Sequence, residues 1–479
     1  MALNAERISV FLVRCMLGLF LALMALGLAL GALQTAQQTQ AFLCGLLAAA
    51  ALLFLLPCVA AAVARAGTGR ALLALCLACL LVKGAWIFLV RPEPAGDYMV
   101  FWQCANALTL PETLFNGRYV ALFPHIYGYS HLLSLFIRLF GPGELLAQAL
   151  NVGLSVLSGC LLFALAYRWI GLEAGISAFL LWILCPSQTV YNSFVLSEPY
   201  YTALLLVFLV LVTQLYHAGP EDRRQPLWAL AAGGLAGLVL RVLNGARPIA
   251  AVPIIALTIW AVCLRRPQEG RGWRLWLPFL AALMAVYLAA GPLWNAAVAC
   301  AAGEPPASVP GFNLLVGLNR ESAGMWNESD SQRLAFYSGQ PGATAQSTQE
   351  ALLREAADRA AADPGAIPGL LVDKLQVFLG SDHACVLYAE TVLRHRDLFT
   401  FICNTFYYAA VLLSLAGAAV LFRTGERSTA LLLPLYALGL TLAQLLVEVA
   451  PRYHYSLIPM FLLTAQYALF GRRGGREAP

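Results

Sequence analysis

Charge is scarce in this sequence. Asp, Glu, Lys and Arg make up 11% of its 479 residues, against roughly a quarter in an ordinary soluble domain, which sets a soluble globular protein aside. The net charge of +5 comes from arginines scattered through short loops, so nothing asks for a nucleic-acid partner. The twelve cysteines show no CxxC metal spacing in any polar loop. Most of them (Cys15, Cys44, Cys58, Cys76, Cys79, Cys160, Cys185, Cys263, Cys403) fall inside apolar runs and act there as small apolar residues, which argues against structural zinc and dithiol redox chemistry. The chain also lacks repeats of fixed period. It has no matched pair of interrupted helices of the kind that marks many transporters.

What is abundant is hydrophobicity, at 60% of residues. Apolar runs near the length needed to cross about 30 Å of hydrocarbon recur along the chain, and lipid offers their backbone no partner, so each is expected to be helical. Twelve spans are expected, near 9–33, 41–64, 71–90, 145–167, 173–189, 198–217, 227–243, 248–264, 275–299, 398–422, 429–449 and 453–470. The fold class is an all-α polytopic membrane protein. The first run is too long for a signal-peptide core and lacks a clean cleavage site, so it is read as a span. Residues 1–70 then supply two leading helices, and 71–300 a membrane core that includes the polar segment 91–143. A second polar region follows at 301–397, and 398–479 holds the last spans and a tail.

Arg65 and Arg70, Arg223 and Arg224, the run RRPQEGRGWR, the segment FRTGER and the tail GRRGGRE all fall on one side when twelve spans are threaded alternately. The positive-inside rule makes that side, with both termini, cytoplasmic. Segments 91–143 and 301–397 are then expected outside. The first is too broken by Pro and Gly to span and suggests interfacial helices. The second holds the helix pattern TQEALLREAADRAAADP and the short apolar stretch IPGLLVDKLQVFLG. Both are expected to cap the membrane domain.

Ionisable residues in or beside spans are costly and usually functional. Asp97, Glu198, Arg241, Arg247, Glu448 and Arg452 all come out at outer helix ends, and His125, His131, His383, His395 and His454 come out outside too, with His217 the exception. Lys83 lies in the outer half of its helix and is read as structural. The pattern suggests one polar cleft at the outer leaflet.

Four stretches, in order and on one side, resemble the polytopic glycosyltransferases of the GT-C fold, in particular the bacterial family 39 enzymes akin to protein O-mannosyltransferases and the aminoarabinose transferase of lipid A. They are Gly96-Asp97-Tyr98, Leu196-Ser-Glu198-Pro-Tyr-Tyr, Gly245-Ala-Arg247-Pro248 and Pro451-Arg452-Tyr453-His454-Tyr455. The resemblance covers most of the chain after residue 70, and the two helices before it depart from the family pattern. It implies a donor sugar on a polyprenyl monophosphate and an acceptor glycan, lipid or protein outside the cytoplasm, with the enzyme in a bacterial cytoplasmic membrane.

Transfer to a hydroxyl needs a base, and Asp97 is the expected one. A lipid phosphate leaving group needs cations to hold its developing charge, and the planar fork of arginine suits it. Arg247 and Arg452 are the candidates, with Arg241 behind them. Glu198 opens a helix, so it is either a cap favoured by the helix dipole or a second catalytic carboxylate orienting a hydroxyl. Tyr98, Trp102, His125, Asn319, Trp326, His383 and His454 are candidate substrate contacts. No cofactor is expected. Ser381-Asp382-His383 has ligand types, but isolated residues do not fix a metal geometry and a monophosphate donor does not call for a divalent ion. A lipid-linked sugar transporter and a polymerase or ligase using diphosphate-linked donors stand as alternatives.

Overall fold

The computed structural model describes residues 2–93, 95–217, 225–265 and 272–471. Arg223, Arg224, most of the RRPQEGRGWR run and the GRRGGRE tail lie outside the described residues. Those that are described form helices and turns with no strand among them. In chain order the helices are α1 (Ala2–Ala32), α2 (Ala36–Ala64), α3 (Thr68–Leu89), α4 (Asp97–Ala107), α5 (Gly117–Leu122), α6 (His125–Phe140) and α7 (Glu144–Trp169). Next come α8 (Leu172–Leu184), α9 (Pro186–Tyr191), α10 (Glu198–Tyr216), α11 (Gln225–Ala246), α12 (Ala251–Ile259) and α13 (Gly272–Ala302). The rest are α14 (Gly311–Gly317), α15 (Glu328–Ser338), α16 (Ala345–Ala362), α17 (Ile367–Leu379), α18 (Ala384–Tyr388), α19 (Arg396–Thr424), α20 (Leu432–Leu446) and α21 (Leu457–Phe470).

Among the described residues nine helices are long and apolar enough to cross a membrane, and three shorter apolar ones accompany them, at Leu172–Leu184, Ala251–Leu264 and Leu457–Phe470. The twelve correspond one for one to the apolar runs. The run at 173–189 is not one helix. Cys185 takes an extended backbone (φ −69°, ψ 111°) and Pro186 starts α9, because the ring of a proline pushes the residue before it out of the helical region. The final run begins at Leu457 rather than 453, since Pro451–His454 forms a separate 3₁₀ turn.

The interior divides into two main apolar clusters. The larger joins Phe20, Cys79, Phe179, Leu206, Leu240, Trp260, Tyr407, Leu433 and Phe461 from the long helices. The second gathers Phe101 and Tyr129 with Phe194, Val298, Phe312, Leu352, Cys385, Cys403 and Tyr455. Helices α4–α6 and α14–α16 therefore form one cap over the ends of α9, α13, α19 and α21. Gln349 fixes the two halves of that cap together by donating to Leu122 O at 3.1 Å, and Arg118 pairs with Glu304. At the other end of the bundle Ser9 donates to Leu264 O, Arg427 pairs with Glu6, and Trp169 and Thr213 meet at Thr429. Side-chain contacts thus tie the bundle together at both ends.

The two leading helices share this interior. Val13, Leu17 and Phe20 of α1 and Leu56 and Ala60 of α2 belong to the larger cluster. At Gly45 of α2 an added β-carbon would lie 2.9 Å from Tyr408 Cβ of α19, so glycine permits the close approach of the two helices.

Candidate functional site

The sequence GDYMVFW places its carboxylate by a backbone device. Gly96 has φ 54° and ψ −129°, a conformation that side chains disfavour, and it turns the chain from the 90–95 linker into α4. Asp97 is the first residue of that helix, where the positive end of the dipole favours an anion. Its partner comes from 355 residues further on: Arg452 Nη2 donates to Asp97 Oδ2. The same guanidinium faces Glu198, with Nε 3.7 Å from Oε1. Side-chain exposures are 11% for Arg452, 51% for Asp97 and 3% for Glu198, so the arginine bridges one open and one sealed carboxylate.

Tyrosines form the walls. The Arg452 Cζ atom lies 5.8 Å from the Tyr98 ring, 5.4 Å from Tyr388 and 5.7 Å from Tyr453, distances at which ring faces attract a cation. Arg247, just after α11, stacks on the same Tyr453 at 4.0 Å. Tyr453 in turn donates its hydroxyl to Glu448 Oε1 at 3.2 Å. The site therefore brings Asp97, Glu198, Arg247 and Arg452 together, as the sequence suggested. It adds Tyr388 and gives Glu448, expected at an outer helix end, the hydroxyl of the motif residue Tyr453 as its partner. The signal for Glu448 lay in the run EVAPRYHY, where it stands four residues before Arg452.

Other candidates fall elsewhere. Tyr98 is buried, stacked on Phe194 at 4.9 Å, and serves as a wall for Arg452. Trp102 packs at the margin of the second cluster. Arg241 faces Tyr287 of α13, with Cζ 5.8 Å from the ring, and no contact joins it to Arg452. Asn319 donates to Asp330 Oδ2 at 2.9 Å within a buried knot that also takes Asn327 and Arg359. Its amide thus helps hold the 316–330 segment together. Trp326 in that loop is 57% exposed. His383 Nδ1 meets Asn404 Nδ2 at 3.4 Å.

His454 is held inside the protein. It is 1% exposed, and its Nδ1 lies 2.7 Å from Phe378 O while Nε2 lies 3.1 Å from Asp382 Oδ1. Asp382 Oδ2 accepts from Ser187 Oγ at 2.5 Å. With both nitrogens engaged inside the protein, His454 anchors the turn that carries Arg452 and presents nothing to a substrate. Both oxygens of Asp382 are likewise hydrogen-bonded within the protein. Among the described residues no three His, Cys, Asp or Glu side chains gather as a metal site. Lys83, buried in α3, donates to Thr189 Oγ1 at 3.2 Å, in keeping with a structural role.

Electrostatics fix the protonation states. Desolvation works against ionisation of Asp97, but the charge and hydrogen bond of Arg452, with His125 and Arg247, hold its carboxyl below the ordinary value. Desolvation raises Glu448, with Arg247 and the Tyr453 hydroxyl opposing. His125, the first residue of α6, is pushed down from 6.5 to about 4 by burial and by Arg247, so it is neutral at pH 7. A histidine that is neutral when folded costs stability as the unfolded chain begins to bind protons. Stability is therefore expected to fall as pH drops from 6.5 toward about 4. The depressed Asp97 acts in the same direction at lower pH: its contribution is full above the unfolded carboxylate value and lost as pH falls through the folded one. Thermal melts across this range check the sign, and His125→Asn is expected to flatten the upper part of the decline.

No family model matches the chain, and no curated protein matches it. Two solved structures align with it. One is ArnT from Cupriavidus metallidurans bound to undecaprenyl phosphate, at 16% identity and a TM-score of 0.38 over 85% of this chain and 79% of that one. The other is the same protein in the apo state, at 14% identity and a TM-score of 0.35 over 85% and 78%. At such values the likeness carries no weight for the function.

Proposed function

We propose that this protein is a polytopic membrane glycosyltransferase that moves a sugar from a polyprenyl monophosphate to a hydroxyl of a glycan, lipid or protein outside the cytoplasm, with inversion at the anomeric carbon. The observation that carries the reading is the bridge of Arg452 between half-exposed Asp97 and buried Glu198, with Arg247 stacked on the shared Tyr453. The order of the four motif stretches supports it from the sequence side.

In this mechanism Asp97 accepts the proton of the acceptor hydroxyl as its oxygen bonds to the anomeric carbon. The bond from that carbon to the phosphate oxygen breaks on the opposite face, and polyprenyl monophosphate leaves with the electron pair. Arg247 and Arg452 hold the charge that develops on it, as positioned donors in a partly dehydrated site do. Arg452 occupied by phosphate releases Asp97 from its ion pair, which raises the basicity of the carboxylate when it is needed. Glu198 keeps the guanidinium in place throughout. Arg65, Arg70, Arg423 and Arg427 lie away from the cap, which agrees with a cytoplasmic location for that end and an outward-facing site.

The test is transfer by the purified full-length protein in liposomes. Given a labelled polyprenyl-monophosphate sugar and envelope extract as acceptor source, it is expected to move label onto an extract component and to leave the diphosphate-linked donor unused. Movement of donor between leaflets with no labelled product would assign a transporter instead, and use of the diphosphate donor would assign a polymerase or ligase.

A further inference from the structure

We propose that Lys374 is a positioning residue for the arginine pair: its buried ammonium ties the ends of α14 and α20 together so that Tyr453 is held between Arg247 and Arg452. This rests on the phosphate-binding role proposed for those arginines and deepens it.

Lys374 sits in the middle of α17, the short apolar helix IPGLLVDKLQVFL, with 0% of its surface exposed. An ammonium has three donors, and each here meets a main-chain carbonyl: Gly317 O at 2.9 Å, Leu445 O at 2.8 Å and Val447 O at 2.7 Å. Glu448 contributes only a through-space attraction. Gly317 ends α14, and Leu445 and Val447 belong to the last turn and cap of α20. Carbonyls in those places have no donor within their own helix and carry the negative end of the dipole. One cation thus caps two helices.

The backbone around it is tightly drawn. An added β-carbon at Gly317 would lie 2.8 Å from Glu448 N, and one at Gly324 (φ +74°) would lie 2.9 Å from Lys374 Cδ. Glu448 N donates to Asn313 O at 2.7 Å and Val449 N to Gly324 O at 2.9 Å. Segment 445–449 is therefore clamped between Lys374 and residues 313–324, the end of α14 and the turn after it. What it holds out is the Glu448 carboxylate, which accepts from Tyr453 at 3.2 Å, and the Tyr453 ring is where both arginines stack. Lys374 acts only through this chain. Packing of α17 alone does not call for a lysine, since an unbranched apolar side chain of similar length fills such a space without the cost of burying a charge.

The test compares wild type, Lys374→Met and Lys374→Arg as full-length protein, by amide hydrogen exchange and by equilibrium binding of undecaprenyl monophosphate as the probe. In Lys374→Met, exchange over 445–454 is expected to quicken by about tenfold or more while α2 is unchanged. The probe dissociation constant is expected to rise on the order of tenfold, the lower end of the loss found when an outer-shell partner of a metal ligand is removed. Lys374→Arg falls between, because a guanidinium spreads its donors over a planar fork. In a transfer assay the donor KM rises more than kcat falls. A folded Lys374→Met with wild-type exchange over 445–454 overturns the clamp. If that variant does not fold, the same readings on Lys374→Arg decide. Faster exchange in a protein whose wild type does not bind the probe overturns the link to phosphate, and with it the reading of the arginines, while leaving the clamp.

Discussion

Arg452→Ala is expected to lose both donor binding and a large part of the stability. Arg452 is the ion-pair partner of Glu198, whose side chain is 3% exposed, and removing one member of a buried pair costs about 3–5 kcal/mol because the other charge is left uncompensated. The variant is therefore expected to melt well below wild type and to show no saturable binding of polyprenyl monophosphate. These two effects separate in a second protein. Combining Arg452→Ala with Glu198→Gln removes the stranded charge, so most of the lost stability is expected to return while donor binding stays absent. If the double variant binds the donor as wild type does, Arg452 has no part in holding phosphate.

Asp97→Asn is the second large effect, and it falls on the chemistry alone. The amide keeps the size and the contact with Arg452 but cannot take a proton from a hydroxyl. A positioned base contributes about 10²–10⁴-fold to rate, so kcat is expected to fall by that factor with donor binding preserved. Loss of the negative charge leaves Arg452 less committed to residue 97, so donor affinity is expected to hold or rise. Asp97 is 51% exposed, and the stability change is correspondingly expected to be small.

The spans were legible because a bilayer demands long apolar helices, and the cap was legible because proline and glycine break 91–143 while charge breaks 301–397. The division of 173–189 was visible as Pro186 and was still merged into one span, since hydropathy averages over a single residue. Asp97, Glu198, Arg247 and Arg452 were found from their sidedness and motif order. Their pairing was not: nothing in the sequence states that Arg452 reaches Asp97 across 355 positions rather than standing free. Asn319 and His454 look like substrate contacts in a sequence, since polar residues in an outer loop read alike until their partners are known. Here Asp330 takes one and the Phe378 carbonyl with Asp382 takes the other. Lys374 was hidden for the opposite reason. It lies in an apolar helix pattern where a lysine reads as an interfacial charge, and its three carbonyls come from segments far apart in the chain.

The most direct measurement is a single turnover in liposomes. Labelled polyprenyl-monophosphate sugar is bound first to wild type and to Asp97→Asn, bound donor is quantified, acceptor is added and product is followed. The mechanism predicts at least as much bound donor in Asp97→Asn as in wild type, rapid transfer by wild type and transfer per bound donor slower by about 10²-fold or more in Asp97→Asn. Equal transfer rates per bound donor would contradict Asp97 as the base.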